Sequence, residues 1–119
     1  MRLKEASRFT RHELACLENA LNFIDKNYGD RISADQLSLE VGLSKKKLQA
    51  GIQQKTGQTI HGYILQIRIE KSKPLLADTG LPLKAIARTH GFKTCSHFCK
   101  IFKTITSNTP MEYRLQQAY

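Results

Sequence analysis

Apolar residues recur every three or four positions along most of this chain, and no stretch alternates apolar and polar residues over a useful length between turn signals. The pattern predicts helices throughout and no strands. In "HELACLENALNFIDKNY", Leu14, Leu17, Leu21 and Ile24 share a helical face, and Gly29 closes the element. "ISADQLSLEVG" carries a capping box, with Ser33 as cap and Gln36 able to reach back to the Ser33 amide; Gly42 ends that short helix. Ser44 is placed to cap "KKKLQAGIQQKTG", which stops at Gly57. Thr59 is placed to cap a long helix running to about Ala77, and Pro82 stands in the first turn of "PLKAIARTH". After Gly91-Phe92 a helix is expected from about Cys95 to Thr104, and Pro110 opens a last one, "MEYRLQQAY".

Two segments share one plan. "DQLSLEVGL-SKKKLQAGI" and "LKAIARTHGFKTCSHFCKIF" each read as a short helix, a glycine turn with an apolar residue after it, and a second helix. Leu37 corresponds to Ile86, Ser38 to Ala87, Gly42-Leu43 to Gly91-Phe92, Leu48 to Phe98 and Ile52 to Phe102. A short helix joined to a second by a tight turn is a helix-turn-helix. The small residue lets the helices cross closely, and the apolar turn residue plugs the corner. The i, i+4 apolar pair anchors the second helix and frees its opposite face.

Charge sharpens this picture. The chain of 119 residues has a formal net charge of +9, unevenly spread. Residues 1–44 hold six Lys/Arg against seven Asp/Glu, whereas residues 45–119 hold thirteen against three. A field of that kind attracts a polyanion, either nucleic acid or an anionic membrane face. The hydrophobic share of 40% suits a globular protein. No apolar run approaches the roughly 18 residues of a membrane span, and the start, "MRLKEASRFT", lacks the apolar centre of a secretory signal. We therefore expect a cytoplasmic protein without a membrane partner. Three cysteines, Cys16, Cys95 and Cys99, make no disulfide framework.

These motifs resemble the DNA-binding domain of AraC/XylS-type transcription regulators. The resemblance covers roughly residues 14–114 and rests most on "IARTHGF", "SHFCKIFK" and "TPMEYR", with "LSKKKLQAGIQQKTGQTIHGYILQIRIEKSK" agreeing in the first half. It implies an all-α, homeodomain-like fold of about seven helices. An N-terminal helix-turn-helix lobe (1–57, led by a linker remnant at 1–11), a linker helix (58–78) and a C-terminal lobe (79–119) are expected. The implied activity is sequence-specific double-stranded DNA binding in transcription regulation, with two recognition helices in successive major grooves. RNA polymerase is an expected partner. The chain is expected to be the monomeric C-terminal part of an effector-responsive regulator, whose N-terminal domain would dimerise. No enzyme activity, cofactor or resident metal is expected.

Carried onto matching positions, the resemblance assigns base reading to Lys46, Gln49, Ala50 and Gln53 in the first recognition helix, and to Cys95, Ser96, Cys99 and Lys100 in the second. Phosphate contacts fall to Ser44, Lys45, Lys47, Lys93, Thr94, His97 and Lys103. Three lysines at a helix start oppose the macrodipole, which argues for an external anion there. Gln49 can pair with an adenine edge and Lys100 can donate to guanine. Where some relatives carry arginine, Ala50 forfeits that contact. Arg68 and Arg114 match structural arginines, with Glu70 and Glu112 as candidate ion-pair partners.

The stretch "RTHGFKTCSHFCKIFK" leaves two alternatives open. Cys95 and Cys99, four apart, offer two soft ligands, but tetrahedral zinc wants about four, or three plus water. A thiol switch would need a lowered cysteine pKa, which Lys100 and the helix N-terminus favour. His90, in the position Val41 holds in the first copy, is expected to face the core. A protein-interaction module on the same fold is a further alternative. Pro74 is expected to bend or interrupt the linker helix, Gly51 to permit close packing, and Ser107 to pass the left-handed cap to Asn108.

Overall fold

The computed structural model describes residues 9–117, so most of the expected linker remnant lies outside the described residues. The described residues form seven α-helices and no strand. They are α1 (Arg11–Asn27), α2 (Ala34–Val41), α3 (Lys45–Thr56), α4 (Ile60–Asp78), α5 (Leu83–Thr89), α6 (Cys95–Thr106) and α7 (Pro110–Gln117). Two compact units result. The first contains α1, Ile32 through α3, and α4 as far as Ile64; the second contains Tyr28–Arg31 and the chain from Leu65 onward.

In the first unit, Leu17, Ala20 and Ile24 of α1 are buried together with Leu37 of α2, Leu43 of the turn, and Leu48 and Ile52 of α3. The buried face of α1 differs from the expected one: Leu14 is 44% exposed and Leu21 half-buried, while Cys16 and Ala20 are buried. Helix α3 explains the shift. A Cβ on Gly51 would fall 2.4 Å from Leu17 Cδ2, so the absent side chain is what lets Leu17 seat against α3. Thr10 and Glu13 form a capping box at the start of α1, the Thr10 amide donating to Glu13 Oε1 and the Glu13 amide to Thr10 Oγ1, each at 3.0 Å. Lys47 of α3 donates to the other oxygen of Glu13.

In the second unit, Ile69, Leu76, Ile86, Ala87, Phe92, Phe98 and Phe102 make the core. Phe92, Phe98, Phe102 and Tyr113 follow one another, the first pair tilted and the next two edge to face, with successive centroids 5.2, 5.8 and 5.6 Å apart. Arg68 of α4 works as a three-way clamp: its guanidinium donates to the carbonyls of Tyr28 (2.6 Å), Gly91 (3.1 Å) and Asp30 (3.0 Å). Gly91 has φ +88, and a Cβ there would lie 2.7 Å from the Gly29 carbonyl oxygen and 2.9 Å from Arg68 Cζ. Only glycine fits that corner. Arg114 of α7 donates to the carbonyls of Leu76 (3.0 Å) and Leu81 (2.7 Å), tying the last helix to the end of α4 and the turn after it. Neither arginine uses the expected carboxylate. Glu70 pairs with Lys73, and Glu112 caps α7 through the Thr109 amide. Carbonyls exposed where chain segments end need donors more than the arginines need charges.

Both units close their helix-turn-helix the same way. The Leu43 amide donates to the Ser38 carbonyl and the Phe92 amide to the Ala87 carbonyl, with Gly42 (φ 72) and Gly91 (φ 88) left-handed just before. The likeness also extends beyond the segments compared in the sequence. Thr56 Oγ1 donates to the Ile52 carbonyl and accepts from the Gln58 amide; Thr106 Oγ1 does the same with Phe102 and Asn108. Gly57 and Ser107 are the left-handed caps of α3 and α6. The cap therefore does not pass to Asn108. Ser107 itself takes φ 72, because its amide must reach the Lys103 carbonyl while Asn108 turns back onto Thr106.

Helix α4 is assigned without a break through Pro74, contrary to an interruption. The proline leaves the Glu70 carbonyl without its helical donor, while Ser72, fully buried, bonds the Ile69 carbonyl at 2.7 Å. Pro82 is the N-cap of α5, one position before the first turn.

Three outcomes are expected. Arg68→Lys cannot reproduce a three-carbonyl fork and should destabilise the second unit by about 2–3 kcal/mol, measured by chemical denaturation. Ser107→Gly relieves a left-handed serine and should stabilise by about 0.5–1 kcal/mol, visible as a higher melting midpoint. The Glu13 carboxyl is held below the usual carboxylate range, chiefly by the Lys47 hydrogen bond and then by the Thr10 amide. A depressed folded-state pKa stabilises above the ordinary carboxylate range, and that contribution is lost as pH falls through the depressed value. Lys47→Ala should therefore move the Glu13 midpoint upward in an NMR titration, and an unmoved midpoint would refute the pairing.

Candidate nucleic-acid interface

Helix α3 buries Leu48 and Ile52 and turns Lys46, Gln49, Ala50 and Gln53 to solvent. These four stand at i, i+3, i+4 and i+7, which places them on one strip. Ser44 starts the helix by accepting from the Lys47 amide at 3.2 Å. The three lysines at this helix start differ in their partners. Lys45 pairs with Asp35 at 3.3 Å and Lys47 with Glu13, whereas Lys46 makes no ion pair among the described residues. The fold thus supplies carboxylates for two of the cations. Such exposed pairs are worth about 0–1 kcal/mol each, so a dense polyanion can compete for both lysines. Gln49 and Gln53 also line, with Ile32, Ala34, Thr59 and His61, an open cavity of ≈ 450 Å³. The exposed His61, in the first turn of α4, belongs to this surface and was not singled out in the sequence; its only signal there is a polar ring just after the cap that follows α3.

Helix α6 repeats the arrangement with different chemistry. Phe98 and Phe102 are fully buried, and Thr94 caps the helix by accepting from the His97 amide at 3.0 Å. Ser96, Lys100 and Lys103 are exposed, and Cys95 and Cys99 half-buried. Ser96, Cys99, Lys100 and Lys103 stand at i, i+3, i+4 and i+7, matching Lys46, Gln49, Ala50 and Gln53 at an offset of 50. Lys103 therefore shares the strip that its expected assignment to phosphate alone set it apart from. His97 is exposed and points off that strip, its ring edge-on to Phe92 with centroids 5.6 Å apart. Lys93, Lys100 and Lys103 make no ion pairs among the described residues. Helix α6 also has no acidic residue in its first turn, so its positive N-terminal end is unanswered from within.

The histidines and cysteines divide. His90 is 2% exposed, its Nδ1 is 2.7 Å from the Ile86 carbonyl oxygen, and its ring stacks on Tyr28 at 5.9 Å. It is a core residue, as expected. Cys95 and Cys99 bring their sulfurs to 4.0 Å. Burial, and secondarily the neighbouring Cys95, pushes the Cys99 thiol up from its ordinary pKa. That is opposite to the lowering a reactive thiol switch needs, because burial takes water away from the thiolate. Among the described residues no group of three or more His, Cys, Asp or Glu side chains is gathered to hold a metal.

Comparisons with known proteins agree with this geometry. The family profile described as a helix-turn-helix domain matches residues 37–116. The xylose operon regulatory protein of Escherichia coli is 32% identical over 95 residues, covering 80% of this chain, which spans about a quarter (24%) of that relative's length. A crystal structure of an AraC-type DNA-binding-domain transcriptional regulator from Chromobacterium violaceum superposes with a TM-score of 0.83 at 27% identity, covering 88% of this chain and 94% of that one. The DNA-binding domain of AdpA, a global transcriptional factor solved in complex with a target DNA, shares the fold at a TM-score of 0.77 and 15% identity, covering 84% and 90%. Two helix-turn-helices with anchored second helices, a basic surface and these likenesses converge: the chain belongs to the AraC/XylS-type transcription regulators and is a helix-turn-helix DNA-binding domain, not an enzyme.

Proposed function

We propose that the chain recognises a specific double-stranded DNA site by setting α3 and α6 into successive major grooves. The observation that carries this reading is the twofold use of one device: each second helix buries its i, i+4 apolar pair and leaves the same four positions off the core, all exposed on α3 and all but the half-buried Cys99 exposed on α6. In straight duplex, successive major grooves on one face lie about 34 Å or ten base pairs apart. Two different strips on one chain then fit an asymmetric site. Lys46, Gln49, Ala50 and Gln53 face bases from α3. Ser96, Cys95, Cys99 and Lys100 do so from α6, with Lys103 at the far end of that strip. Ser44, Lys45, Lys47, Lys93, Thr94 and His97 lie beside the strips, and we assign them to phosphates together with His61. Ser44 and Thr94 already accept backbone amides, so their hydroxyl protons remain to donate.

The chain acts on this reading as the DNA-binding part of an effector-responsive regulator, contacting RNA polymerase in the cytoplasm, monomeric by itself and dimerised through another domain. No helix among the described residues is long and apolar enough to cross a membrane.

Fluorescence anisotropy against genomic fragments selected from a random pool, at several salt concentrations, tests the proposal. Affinity should fall steeply with salt, because each phosphate contact releases counterions. A salt-indifferent affinity would remove it. Lys93→Ala should weaken all sequences alike and flatten the logarithmic salt slope by about 1. Lys100→Ala should cost about 1–3 kcal/mol on the selected site and relax preference at one base pair.

A further inference from the structure

We propose that Cys95 and Cys99 form a two-coordinate site for a soft monovalent d10 cation of the copper(I) class, and that filling it releases DNA. The part concerning DNA rests on the proposed role of α6; the site itself does not.

Both cysteines are free thiols, half-buried, one turn apart on the same helix, with sulfurs 4.0 Å apart. With the zinc–thiolate length of about 2.3 Å as an upper guide, a linear S–M–S unit spans at most about 4.6 Å, so small χ1 rotations open the pair enough to admit the ion. The number of donors selects the metal. With no third or fourth His, Cys, Asp or Glu gathered at the pair among the described residues, tetrahedral zinc lacks its shell. Hard cations want oxygen and carboxylate. A soft ion content with two thiolates is what remains. The surroundings suit the product. Two S–H bonds break and two M–S bonds form, two protons leave to water, and no electron moves. The neutral thiol pair becomes a dithiolate complex of charge −1. It sits at the start of a helix with no acidic residue in its first turn, with Lys100 next to Cys99 in the chain and Lys103 one turn further on. The helix dipole and these cations offset part of the desolvation cost that burial sets on that charge.

The same charge opposes nucleic acid. Cys99 lies in the strip and Cys95 one turn before it, both proposed for base contact, so the bound ion sets a negative charge and two locked side chains against base edges and phosphates. Linkage makes the effect reciprocal: whatever factor the metal costs DNA, DNA costs the metal.

The experiment uses the whole chain under anaerobic conditions. Copper(I) is titrated against a chromogenic bicinchoninate competitor, for wild type, Cys95→Ser, Cys99→Ser and Cys16→Ala. Cys16 is buried in the other unit and serves as the control, and circular dichroism checks that each variant is folded. We expect one equivalent to be retained by wild type and Cys16→Ala, with retention at least tenfold weaker in each serine variant. Copper-loaded wild type should bind the selected DNA at least tenfold more weakly than the metal-free protein, and saturating DNA should weaken copper retention by the same factor. Equal retention in the serine variants overturns the site. Retention with unchanged DNA affinity overturns the coupling. Metal-free protein that fails to bind DNA in a salt-dependent way counts against the proposed function alone, since the copper arm reads the site without DNA.

Discussion

The turn between the two helices of each helix-turn-helix is the constraint from which the rest follows. A short helix of seven or eight residues buries too little by itself to persist in water. It survives because the amide of an apolar turn residue, Leu43 or Phe92, returns to the carbonyl of a small residue, Ser38 or Ala87, across a left-handed glycine. That closure sets the next helix across the first and drives the apolar turn residue into the core. It also decides which side of the second helix is buried. Leu48/Ile52 and Phe98/Phe102 go inward, which turns Gln49 and Ala50 in one helix and Lys100 in the other to solvent. The polar strip is thus a geometric consequence of how the corner is closed.

What differs between the copies is how each unit handles charge. In the first, acidic residues from α1 and α2 reach Lys45 and Lys47 at the start of α3. In the second, the lysines around α6 have no such partners among the described residues, although neither α3 nor α6 has an acid in its own first turn. Arginine does the opposite job there. Arg68 and Arg114 spend their guanidinium groups on backbone carbonyls, which keeps the corners of the second unit rigid without neutralising its surface. Desolvation lowers the Arg68 pKa, with Asp30 opposing, yet guanidinium remains charged at any physiological pH.

Much of the architecture was legible because local rules agreed with one another. Caps at Ser33, Ser44 and Thr59, left-handed ends at Gly42 and Gly57, and the i, i+4 apolar pairs all pointed to the helices that form. The misreadings share a cause. Leu14 matched the apolar period of α1 but lies exposed, because the line of contact is set by Gly51 on another helix. Asn108 was the better left-handed residue by propensity, but hydrogen bonds to Thr106 and Lys103 fixed the cap on Ser107. Pro74 was expected to bend or interrupt α4, and the helix is not interrupted there. For Leu14 and Asn108, packing or a medium-range hydrogen bond outweighed a local preference.

By itself the sequence determined the helical class, the duplication and the uneven charge, since spacing and caps act within a few residues and charge is a sum over composition. Only the tertiary structure decided which lysines at the start of α3 meet carboxylates, that Arg68 gathers three carbonyls from segments 23 to 40 residues away, and that His61 joins Gln49 and Gln53 around one cavity. Those outcomes depend on distances between residues far apart in the chain, and no local preference encodes such a distance.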